Sequence, residues 1–355
     1  MPEGIGWGVL GHSTIARVCM IPAISASSNG RLRALGTRSG GGPPPATAAP
    51  QASRAPQVPA PPAHHQFERV YGRYEEVLED PEVDAVYVSL PNHLHHPWTL
   101  RALAAGKHVL CEKPLACSAE QAREMAAAAT ASGRLLMEAL MYRFHPRSRA
   151  IKALVEAGGL GVPRGVRAAF TFPMTEEALE AGDGTRLSPE MGGGALLDVG
   201  CYTVSVARWL LGAEPVSAQA QAVYRHGVDV HIAGTLRFPA GALAGIEAGF
   251  VSALQQTFSV TGTEGAIELP HDAFIPWERE ALYTRRERDS EAGEVHRVAG
   301  ADEYRLMVEH FARAVLGEGA LDVLPEDSIL NMVALDALAL AALEERTVHP
   351  NNPTG

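Results

Sequence analysis

Short apolar runs alternate with helix-like segments through the first 139 residues of the chain. The runs are nearly continuous in hydrophobic residues, which is typical of parallel strands buried on both faces. Strands that alternate with helices in this way predict an α/β fold. The predicted strands are Ile5–Leu10, Leu32–Thr37, Arg69–Tyr71, Asp84–Leu90, Lys107–Leu110 and Arg134–Ala139.

The pattern changes at about Arg164, where short segments begin to alternate between hydrophobic and polar residues. Tight turns such as Pro239–Gly241 separate these segments, so they predict an open, mainly antiparallel sheet. Two amphipathic helices, Glu303–Leu316 and Glu326–Glu345, follow the strands. We therefore predict two domains, one of residues 1–139 and an α/β domain of residues 140–355.

The segment 40–66 departs from both patterns, because it contains eight prolines, three consecutive glycines and no acidic residue. A crossover helix is expected at this place in the fold, but the prolines forbid a continuous one. We expect a low-complexity loop, and its role stays open.

Composition narrows the classes of partner. The net charge of −11 and the pI near 5.7 argue against binding to nucleic acid or to an anionic membrane surface. The longest late apolar run, Met332–Leu343, is too short to span a bilayer. No signal peptide is recognisable, and the four cysteines have neither paired nor CxxC spacing, which disfavours a disulfide framework or a zinc site. We expect a cytoplasmic protein.

The turn after the first strand is typical of dinucleotide binding. Gly11 to Ala16 (GHSTIA) join a buried strand to a helix, the arrangement in which a pyrophosphate sits on the helix N-terminus. The fingerprint is imperfect, since Ser13 replaces the middle glycine and Ala16 the last. An ordinary βα turn remains the alternative at this point. The predicted cofactor-binding residues here are Gly11, His12, Ser13, Thr14 and Ile15.

The end of the second strand favours NADP over NAD. An NAD site carries an acidic residue about 20 residues beyond the glycines, but no Asp or Glu occurs between Ile5 and Phe67. Thr37, Arg38 and Ser39 stand there instead, and two hydroxyls and a guanidinium suit a 2′-phosphate. A solvated loop charge is the alternative for Arg38. The predicted cofactor-binding residues here are Thr37 and Arg38.

The fourth strand ends in a histidine-rich loop, Pro91–Pro97 (PNHLHHP). No carboxylate or cysteine lies beside these histidines at ligand spacing, so we predict no metal site. A loop at the carboxyl end of a parallel strand instead lines a bound cofactor. The residues assigned to this lining are Leu90, Pro91, Asn92 and His95.

A lysine follows the fifth strand, in the sequence Glu112-Lys113-Pro114. Pro114 disfavours a helical conformation at Lys113, so the lysine is expected in extended chain at the carboxyl end of the sheet. Lysine is rare in this chain, occurring only at Lys107, Lys113 and Lys152, and its pKa can shift as that of arginine cannot. A surface turn is the alternative for this tripeptide alone.

A polar pair lies in the second domain on an otherwise apolar predicted helix, Ala195–Leu211, which follows three glycines. Asp198 and Tyr202 are four residues apart and therefore project from one face of an α-helix. A carboxylate and a phenol are costly to bury without partners, which indicates a functional pair. A satisfied core tyrosine is the alternative.

These motifs together make the chain similar to the glucose–fructose oxidoreductase, inositol dehydrogenase and rhizopine-catabolism family. The motifs that carry the resemblance are Gly11–Ala16, Tyr87–His95 (YVSLPNHLH), Glu112–Pro114, Glu138–Pro146 (EALMYRFHP) and Gly192–Tyr202 (GGGALLDVGCY). Tyr202 makes the chain resemble the branch of NADP-dependent xylose dehydrogenases, dihydrodiol dehydrogenases and sugar 3-ketoreductases.

The resemblance implies an N-terminal Rossmann domain for NADP(H) and a C-terminal domain for substrate binding and oligomerisation. It implies a homodimer or homotetramer through the C-terminal sheet, and a Lys-Pro bond that is often cis. The function that follows is an NADP-dependent oxidoreductase for a sugar or cyclic polyol. A dihydrodiol dehydrogenase-like enzyme and a non-catalytic NADP-binding regulator are the alternatives.

A mechanism without metal fits these residues. A nearby ammonium lowers the pKa of a phenol, so Lys113 prepares Tyr202 to exchange a proton with the substrate hydroxyl. Asp198 accepts a hydrogen bond from a neighbouring hydroxyl. Lys113, Asp198 and Tyr202 are thus the predicted catalytic residues. The cofactor-binding set further includes Glu112, Lys113, Pro114 and Arg143, and the substrate-binding set is Lys113, Tyr142, Arg186, Asp198 and Tyr202.

Overall fold

The structure is a computed structural model that describes residues 4–37, 67–277 and 279–350. The low-complexity segment 40–66 and Arg38 lie outside these ranges. The chain divides into two compact units, one of Met1–Met141 with Asp302–Ser328 and one of Tyr142–Ala301 with Ile329–Gly355.

The first unit is built on a six-stranded sheet in which every pair of neighbours is parallel. The strand order is β3-β2-β1-β4-β5-β6, so the chain winds outward in both directions from β1. This is the predicted Rossmann-type sheet, and the α/β class is confirmed. The strands are β1 (Ile5–Leu10), β2 (Gly30–Gly36), β3 (Arg69–Tyr71), β4 (Ala85–Val88), β5 (His108–Cys111) and β6 (Leu136–Glu138).

Helices connect these strands. The first is π-helical over Ala16–Met20 and continues as an α-helix. A short 3₁₀ turn, Asn92–Leu94, leads into the third helix. The α-helices described between these strands are α1 (Ile21–Ala26), α2 (Tyr74–Glu79), α3 (His95–Ala104) and α4 (Ala119–Ser132).

A late helix also belongs to the first unit. Residues 302–328, which we assigned to the second domain from the sequence, group with the first unit in the structure. The reason is packing, because the buried face of the helix Glu303–Val315 covers α1 and β2. Phe311 on this helix packs 5.5 Å from the ring of Trp7 in β1, measured between ring centroids.

The second unit is built on an eight-stranded sheet of order β14-β13-β12-β11-β7-β10-β9-β8. All neighbours are antiparallel except β7 and β10, so the predicted open and mainly antiparallel sheet is confirmed. The strands are β7 (Pro163–Thr171), β8 (Ser217–Arg225), β9 (Val228–Arg237), β10 (Leu243–Gly249), β11 (Gln255–Gly262), β12 (Gly265–Leu269), β13 (Ala281–Glu287) and β14 (Glu294–Val298).

The two faces of this sheet differ. One face is covered by the helix Cys201–Leu211, which packs on β7 and β10 and buries side chains such as Ala168 and Phe170. The other face is an open depression of about 1510 Å³, lined by small and polar residues that include Gln219, Thr257 and Glu268. The remaining helices are α5 (Pro146–Glu156), α6 (Glu176–Ala181), α7 (Cys201–Leu211), α8 (Glu303–Val315) and α9 (Pro325–Glu344).

The helix α9 has 20 residues and contains the apolar run that stood out in the sequence. Across the described ranges, no helix is both long enough and apolar enough to cross a membrane.

Candidate active site

The turn after β1 holds the backbone close to the neighbouring strand. Gly11 has φ of +92°, and a Cβ at this position would lie 2.7 Å from the carbonyl oxygen of Ser89. Only glycine combines this backbone conformation with such a close approach. The N–H of Gly11 donates to the carbonyl of Gly36 at 3.1 Å, which ties the turn to the end of β2.

Ser13 begins the helix that follows. Its Oγ accepts a hydrogen bond from the N–H of Ala16 at 3.2 Å, and it is also hydrogen-bonded to Oγ of Ser89. The first-turn N–H groups of a helix have no helical acceptor, so the turn at His12, Thr14 and Ile15 offers the donors that an anion needs. These residues are half-buried. The arrangement therefore fits the pyrophosphate of a dinucleotide.

The end of β2, where the adenosine of a dinucleotide is expected to bind, is only partly described. Thr37 follows β2, and its N–H donates to the carbonyl of Tyr71 at 3.0 Å. Its side chain is half-buried at the carboxyl edge of the sheet. Arg38, the predicted partner of a 2′-phosphate, lies outside the described residues.

The loop after β4 is held by His95. Its Nε2 lies 2.8 Å from the carbonyl oxygen of Leu90, and its Nδ1 lies 2.8 Å from that of Pro114. The ring is 1% exposed, and burial lowers the pKa of His95 to about 4, although both carbonyls act to raise it. At this pKa the ring is neutral at pH 7 and has one N–H, so it donates to one of the two carbonyls and contacts the other, and its nitrogens offer no direct hydrogen bond to a cofactor. Pro91 and Asn92 are half-buried in the same loop.

Three buried groups hold the segment that carries Lys113. The bond from Lys113 to Pro114 is cis, as the resemblance implies. Glu112 accepts a hydrogen bond from the hydroxyl of Tyr87 at 2.6 Å, and the N–H of Leu115 donates to Oε1 of Glu138 at 2.9 Å. With His95 as the third group, the backbone on both sides of Lys113 is fixed. The side chain of Lys113 is half-buried.

Tyr87 and Glu138 were not among the predicted site residues. Both are buried in strands of the parallel sheet, and a polar side chain in such a strand was the available signal. Burial and the neighbouring Glu112 carboxylate hold the pKa of Tyr87 well above its usual value of 10. The phenol therefore stays protonated and keeps donating to Glu112.

The three consecutive glycines of the second unit, Gly192–Gly194, are held by contacts with other segments of the same unit. The N–H of Gly194 donates to the carbonyl of Arg186 at 2.9 Å, and Gly194 has φ of +110°. A Cβ at Gly194 would collide with the carboxylate of Asp229. The close backbone approach predicted here is thus made by a loop and a strand of the same unit.

Asp229, on β9, is a residue that the sequence did not suggest. Its Oδ2 accepts from the N–H of Leu196 at 2.7 Å, and its carboxylate also accepts from the N–H of Ala195. Burial raises the pKa of Asp229 from 3.8 to about 6, although these N–H groups act to lower it. The carboxylate thereby caps the helix that carries Asp198 and Tyr202.

That helix begins with a π-helical turn, Leu196–Gly200, and continues as α7. The predicted helix is confirmed, but the π turn alters the rotation between Asp198 and Tyr202 on which their expected common face depended. Such turns are frequent at functional sites.

Asp198 is paired with Arg186. Its Oδ2 lies 2.6 Å from Nε of Arg186, and both side chains are partly exposed. The guanidinium of Arg186 also lies 5.4 Å from the ring centroid of Phe172. The structure thus brings together two of the predicted substrate-binding residues as an ion pair over an aromatic surface.

Tyr202 lies in an aromatic cluster and is 4% exposed. Its ring centroid is 5.4 Å from that of Phe170 and 5.6 Å from that of Phe274. Tyr142 packs edge-on against it at 6.1 Å. Tyr202 belongs to the second unit and Lys113 to the first, so their predicted pairing stays a prediction.

Tyr142 and Arg143 are both buried, whereas a residue that lines an open cleft is partly exposed. The hydroxyl of Tyr142 and Nη2 of Arg143 lie 2.9 Å and 2.8 Å from Oγ of Ser205 on α7. Arg143 also lies over the ring of Trp209. In the second unit these two residues therefore support α7, and their predicted contacts with cofactor and substrate stay predictions.

Within residues 4–37, 67–277 and 279–350, no three His, Cys, Asp or Glu side chains come together as a possible metal site.

A parallel Rossmann sheet with a glycine turn, followed by a unit with an open antiparallel sheet, defines a two-domain dinucleotide-dependent oxidoreductase. The family model for the oxidoreductase NAD-binding Rossmann fold matches residues 6–140, and the model for the corresponding C-terminal domain matches residues 148–268. The chain belongs to the Gfo/Idh/MocA oxidoreductase family, as its motifs suggested.

Three relatives illustrate the range of this similarity. The chain is 35% identical to D-xylose 1-dehydrogenase (NADP(+)) 2 of Haloferax volcanii over 94% of this chain and 95% of that protein. It is 35% identical to trans-1,2-dihydrobenzene-1,2-diol dehydrogenase of Xenopus laevis over 60% of this chain and 63% of that protein. The crystal structure of KijD10, a 3-ketoreductase from Actinomadura kijaniata in complex with NADP and TDP-benzene, superposes with a TM-score of 0.82 at 30% identity, covering 96% and 98% of the two chains.

Proposed function

We propose that this chain is an NADP(H)-dependent oxidoreductase that acts on a hydroxyl or carbonyl group of a sugar or cyclic polyol. The observation that carries the proposal is the clamped segment around Lys113 at the carboxyl end of β5. The side chains of Tyr87, His95 and Glu138 all lie within hydrogen-bond distance of this segment. Three buried polar groups therefore hold the backbone on either side of one lysine. A lysine in a plain surface turn needs none of them.

The cofactor preference rests on both sequence and relatives. The turn at Gly11 and Ser13 fits a pyrophosphate, and no acidic residue stands between Ile5 and Phe67 to hold an unphosphorylated ribose. Thr37 and Arg38 are the proposed partners of the 2′-phosphate. The similar xylose dehydrogenase is named for NADP(+), and the similar ketoreductase was crystallised with NADP.

The proposed chemistry divides among three residues. When bound, NADP(H) accepts or supplies the hydride at its nicotinamide ring. Lys113 donates a hydrogen bond to a hydroxyl of the substrate or of the cofactor ribose. Tyr202 exchanges the hydroxyl proton, and Asp198, oriented by Arg186, accepts from a neighbouring hydroxyl.

The ion pair between Arg186 and Asp198 supports a neutral, hydroxyl-rich substrate. The pair offers N–H donors and carboxylate acceptors together, whereas its two charges largely cancel, so a phosphorylated group gains little from it. We therefore propose a pyranose-sized sugar, with oxidation of an aldose at C1 ahead of 3-keto reduction. The aromatic surface of Phe172 under Arg186 suits a cyclic diol as the second candidate.

The test is a substrate panel of aldoses, 3-ketosugars, cyclic polyols and trans-dihydrodiols, assayed with NADP⁺ or NADPH at matched concentrations. We expect turnover of a sugar and its loss in Lys113→Met. A strong preference for dihydrodiols would favour the second candidate. Tight NADPH binding without turnover of any compound would instead indicate a cofactor-binding regulator.

The open face of the second sheet supports a homodimer or homotetramer. It is a broad depression of small and polar side chains on a sheet whose other face is covered by α7. Light scattering should give a multiple of the chain mass of 37.7 kDa, and Ala233→Arg on this face should reduce it to one chain. A monomeric wild type would contradict this assignment.

The cytoplasm is the proposed compartment. Cys19, Cys111 and Cys117 are present as thiols, as is usual in reducing compartments. Fractionation of the native host, with the protein detected by antibody, tests this assignment, which recovery from the oxidising exterior would contradict.

A further inference from the structure

Residues 174–194, called here the Arg186 segment, lead into the π-helical turn that carries Asp198. The segment consists of α6 and two 3₁₀ turns joined by loops. Leu179 and Leu187 are its buried apolar side chains, and many of its other residues are exposed. A segment with so little apolar burial depends on its polar contacts to keep one position.

The hairpin between β8 and β9 lies against this segment. Its turn residues, His226 and Gly227, have φ of +51° and +79°, the left-handed conformation that a two-residue hairpin turn of type I′ requires at both positions. The Nε2 of His226 lies 2.8 Å from the carbonyl oxygen of Leu179 in α6. A carbonyl can only accept, so Nε2 carries the hydrogen and donates it. His226 therefore satisfies a carbonyl in the last turn of α6.

Both turn residues also contact the Arg186 segment closely. A Cβ at Gly182, just after α6, would lie 2.8 Å from Nδ1 of His226. A Cβ at Gly227 would lie 3.1 Å from Cγ of Pro189. The hairpin turn thus meets the segment both before and after Arg186.

Arg186 lies between these two contacts, in the 3₁₀ turn Thr185–Leu187. Its carbonyl accepts a hydrogen bond from the N–H of Gly194 at 2.9 Å, and its Nε lies 2.6 Å from Oδ2 of Asp198. The backbone of Arg186 is thereby tied on its C-terminal side to the start of the Asp198 helix. On its N-terminal side, His226 holds α6.

We propose that His226 is a positioning residue that fixes the guanidinium of Arg186 against Asp198 and thereby sets the affinity for the sugar. This role rests on the proposed function, in which Arg186 and Asp198 bind the hydroxyl groups of the substrate. The turn itself does not call for histidine, because type I′ turns favour Asn-Gly. The contact of the ring with α6 accounts for the histidine.

Two substitutions separate the hydrogen bond from the turn. In His226→Asn the side chain suits the turn, but its amide nitrogen reaches only as far as Nδ1, so the bond to Leu179 is lost. In His226→Gln the amide nitrogen reaches as far as Nε2 and can donate to the same carbonyl.

We expect His226→Asn to raise KM for the sugar by about 3- to 10-fold, the worth of one hydrogen bond, with kcat and the NADPH dissociation constant within about twofold of the wild type. His226→Gln should return KM to within about twofold of the wild type. An unchanged KM in His226→Asn, or an equally raised KM in both variants, would overturn the role of this bond.

A double-mutant cycle tests whether His226 acts through Arg186. In the Arg186→Gln background, His226→Asn should change KM by no more than about twofold, and fully additive increases would overturn the proposal. Arg225→Gln is the matched control, because Arg225 stands next to His226 but contacts α6 through an exposed ion pair with Glu176, which contributes little. KM of this control should stay within about twofold.

Limited trypsin digestion tests the same contact without an activity assay. Arg186 is the only Lys or Arg in residues 174–194, so the rate of cleavage after it reports how often the segment opens. His226→Asn should be cut there about 3- to 10-fold faster than the wild type. Cleavage after Arg288, in the exposed turn between β13 and β14, should be unchanged.

The two readouts distinguish failure of this role from failure of the proposed function. If the wild type turns over no sugar, the proposed function is contradicted, and the cleavage rates decide on His226. Faster cleavage after Arg186 in His226→Asn then supports the positioning role, and an unchanged rate overturns it.

Discussion

The carboxylate of Asp229 accepts the N–H of Leu196 at 2.7 Å and so ties β9 to the first turn of the helix that carries Asp198 and Tyr202. This contact joins residues 33 positions apart in the chain. It sets where the helix begins, and therefore where both functional side chains lie. The glycine at 194 leaves room for the carboxylate.

Removal of this cap should affect catalysis more than cofactor binding. We expect Asp229→Ala to lower kcat by about 10- to 100-fold, because small displacements of reacting groups are costly. The dissociation constant of NADPH should stay within about twofold. Asp302→Ala is the matched control, since Asp302 caps α8 by accepting from the N–H of Arg305 at 3.0 Å. It should cost about 1 kcal/mol of unfolding free energy and leave kcat unchanged, and equal kcat losses in both variants would contradict the assignment.

Asp229 should also affect how the stability of the folded protein changes with pH. Its pKa is raised from 3.8 to about 6 in the folded protein, so the folded state holds the proton more tightly. This group therefore adds stability below pH 3.8 and loses that contribution as the pH rises through about 6. The Tm of Asp229→Asn minus that of the wild type should become more positive between pH 4 and pH 8. A difference that is constant with pH would mean that Asp229 does not titrate in this range.

The ion pair on Asp198 gives a prediction about substrate affinity. Arg186→Gln removes the charge that orients Asp198, so KM for the sugar should rise about tenfold while the NADPH dissociation constant stays the same. Arg225→Gln is the control, because Arg225 forms an exposed ion pair with Glu176 in the same unit. Steady-state kinetics would count against the role of Arg186 if both variants changed KM equally.

Cofactor preference depends on Arg38 in this account. Arg38→Ala should weaken NADP(H) binding by about 10- to 100-fold, as expected for loss of a charge-assisted contact to phosphate, and should leave NAD(H) binding nearly unchanged. Both constants are measured by fluorescence titration. Equal losses for the two cofactors would refute the assignment to the 2′-phosphate.

The sheets were predictable because they follow from local pattern. Continuous apolar runs marked the parallel strands, and strict alternation marked the antiparallel ones. The helix α8 was placed in the wrong part of the molecule, since its apolar face, which includes Phe311, is equally compatible with either core. Sequence spacing could not say that this face covers Trp7.

The candidate site was predictable only where a motif is local. Gly11, Lys113 and Tyr202 stood out through their neighbours in the chain. Partners such as Tyr87 for Glu112 are far apart in sequence, so no spacing rule reveals them. His95 was expected to face a cofactor, yet both its nitrogens meet backbone carbonyls, a pairing that depends on how two loops pack.

The central claim concerns proton transfer by Tyr202. Its most direct test is kcat of Tyr202→Phe, with Tyr283→Phe, another buried tyrosine of the second unit, as the control. We predict a loss of roughly 10²–10⁴-fold for Tyr202→Phe, as expected for general acid–base catalysis, with unchanged NADPH affinity and near-normal kcat in the control. In the oxidative direction, the rise of wild-type kcat with pH should vanish from the residual activity. A Tyr202→Phe enzyme with near-normal kcat and the same pH limb would contradict the claim and make Lys113 the first candidate for the base.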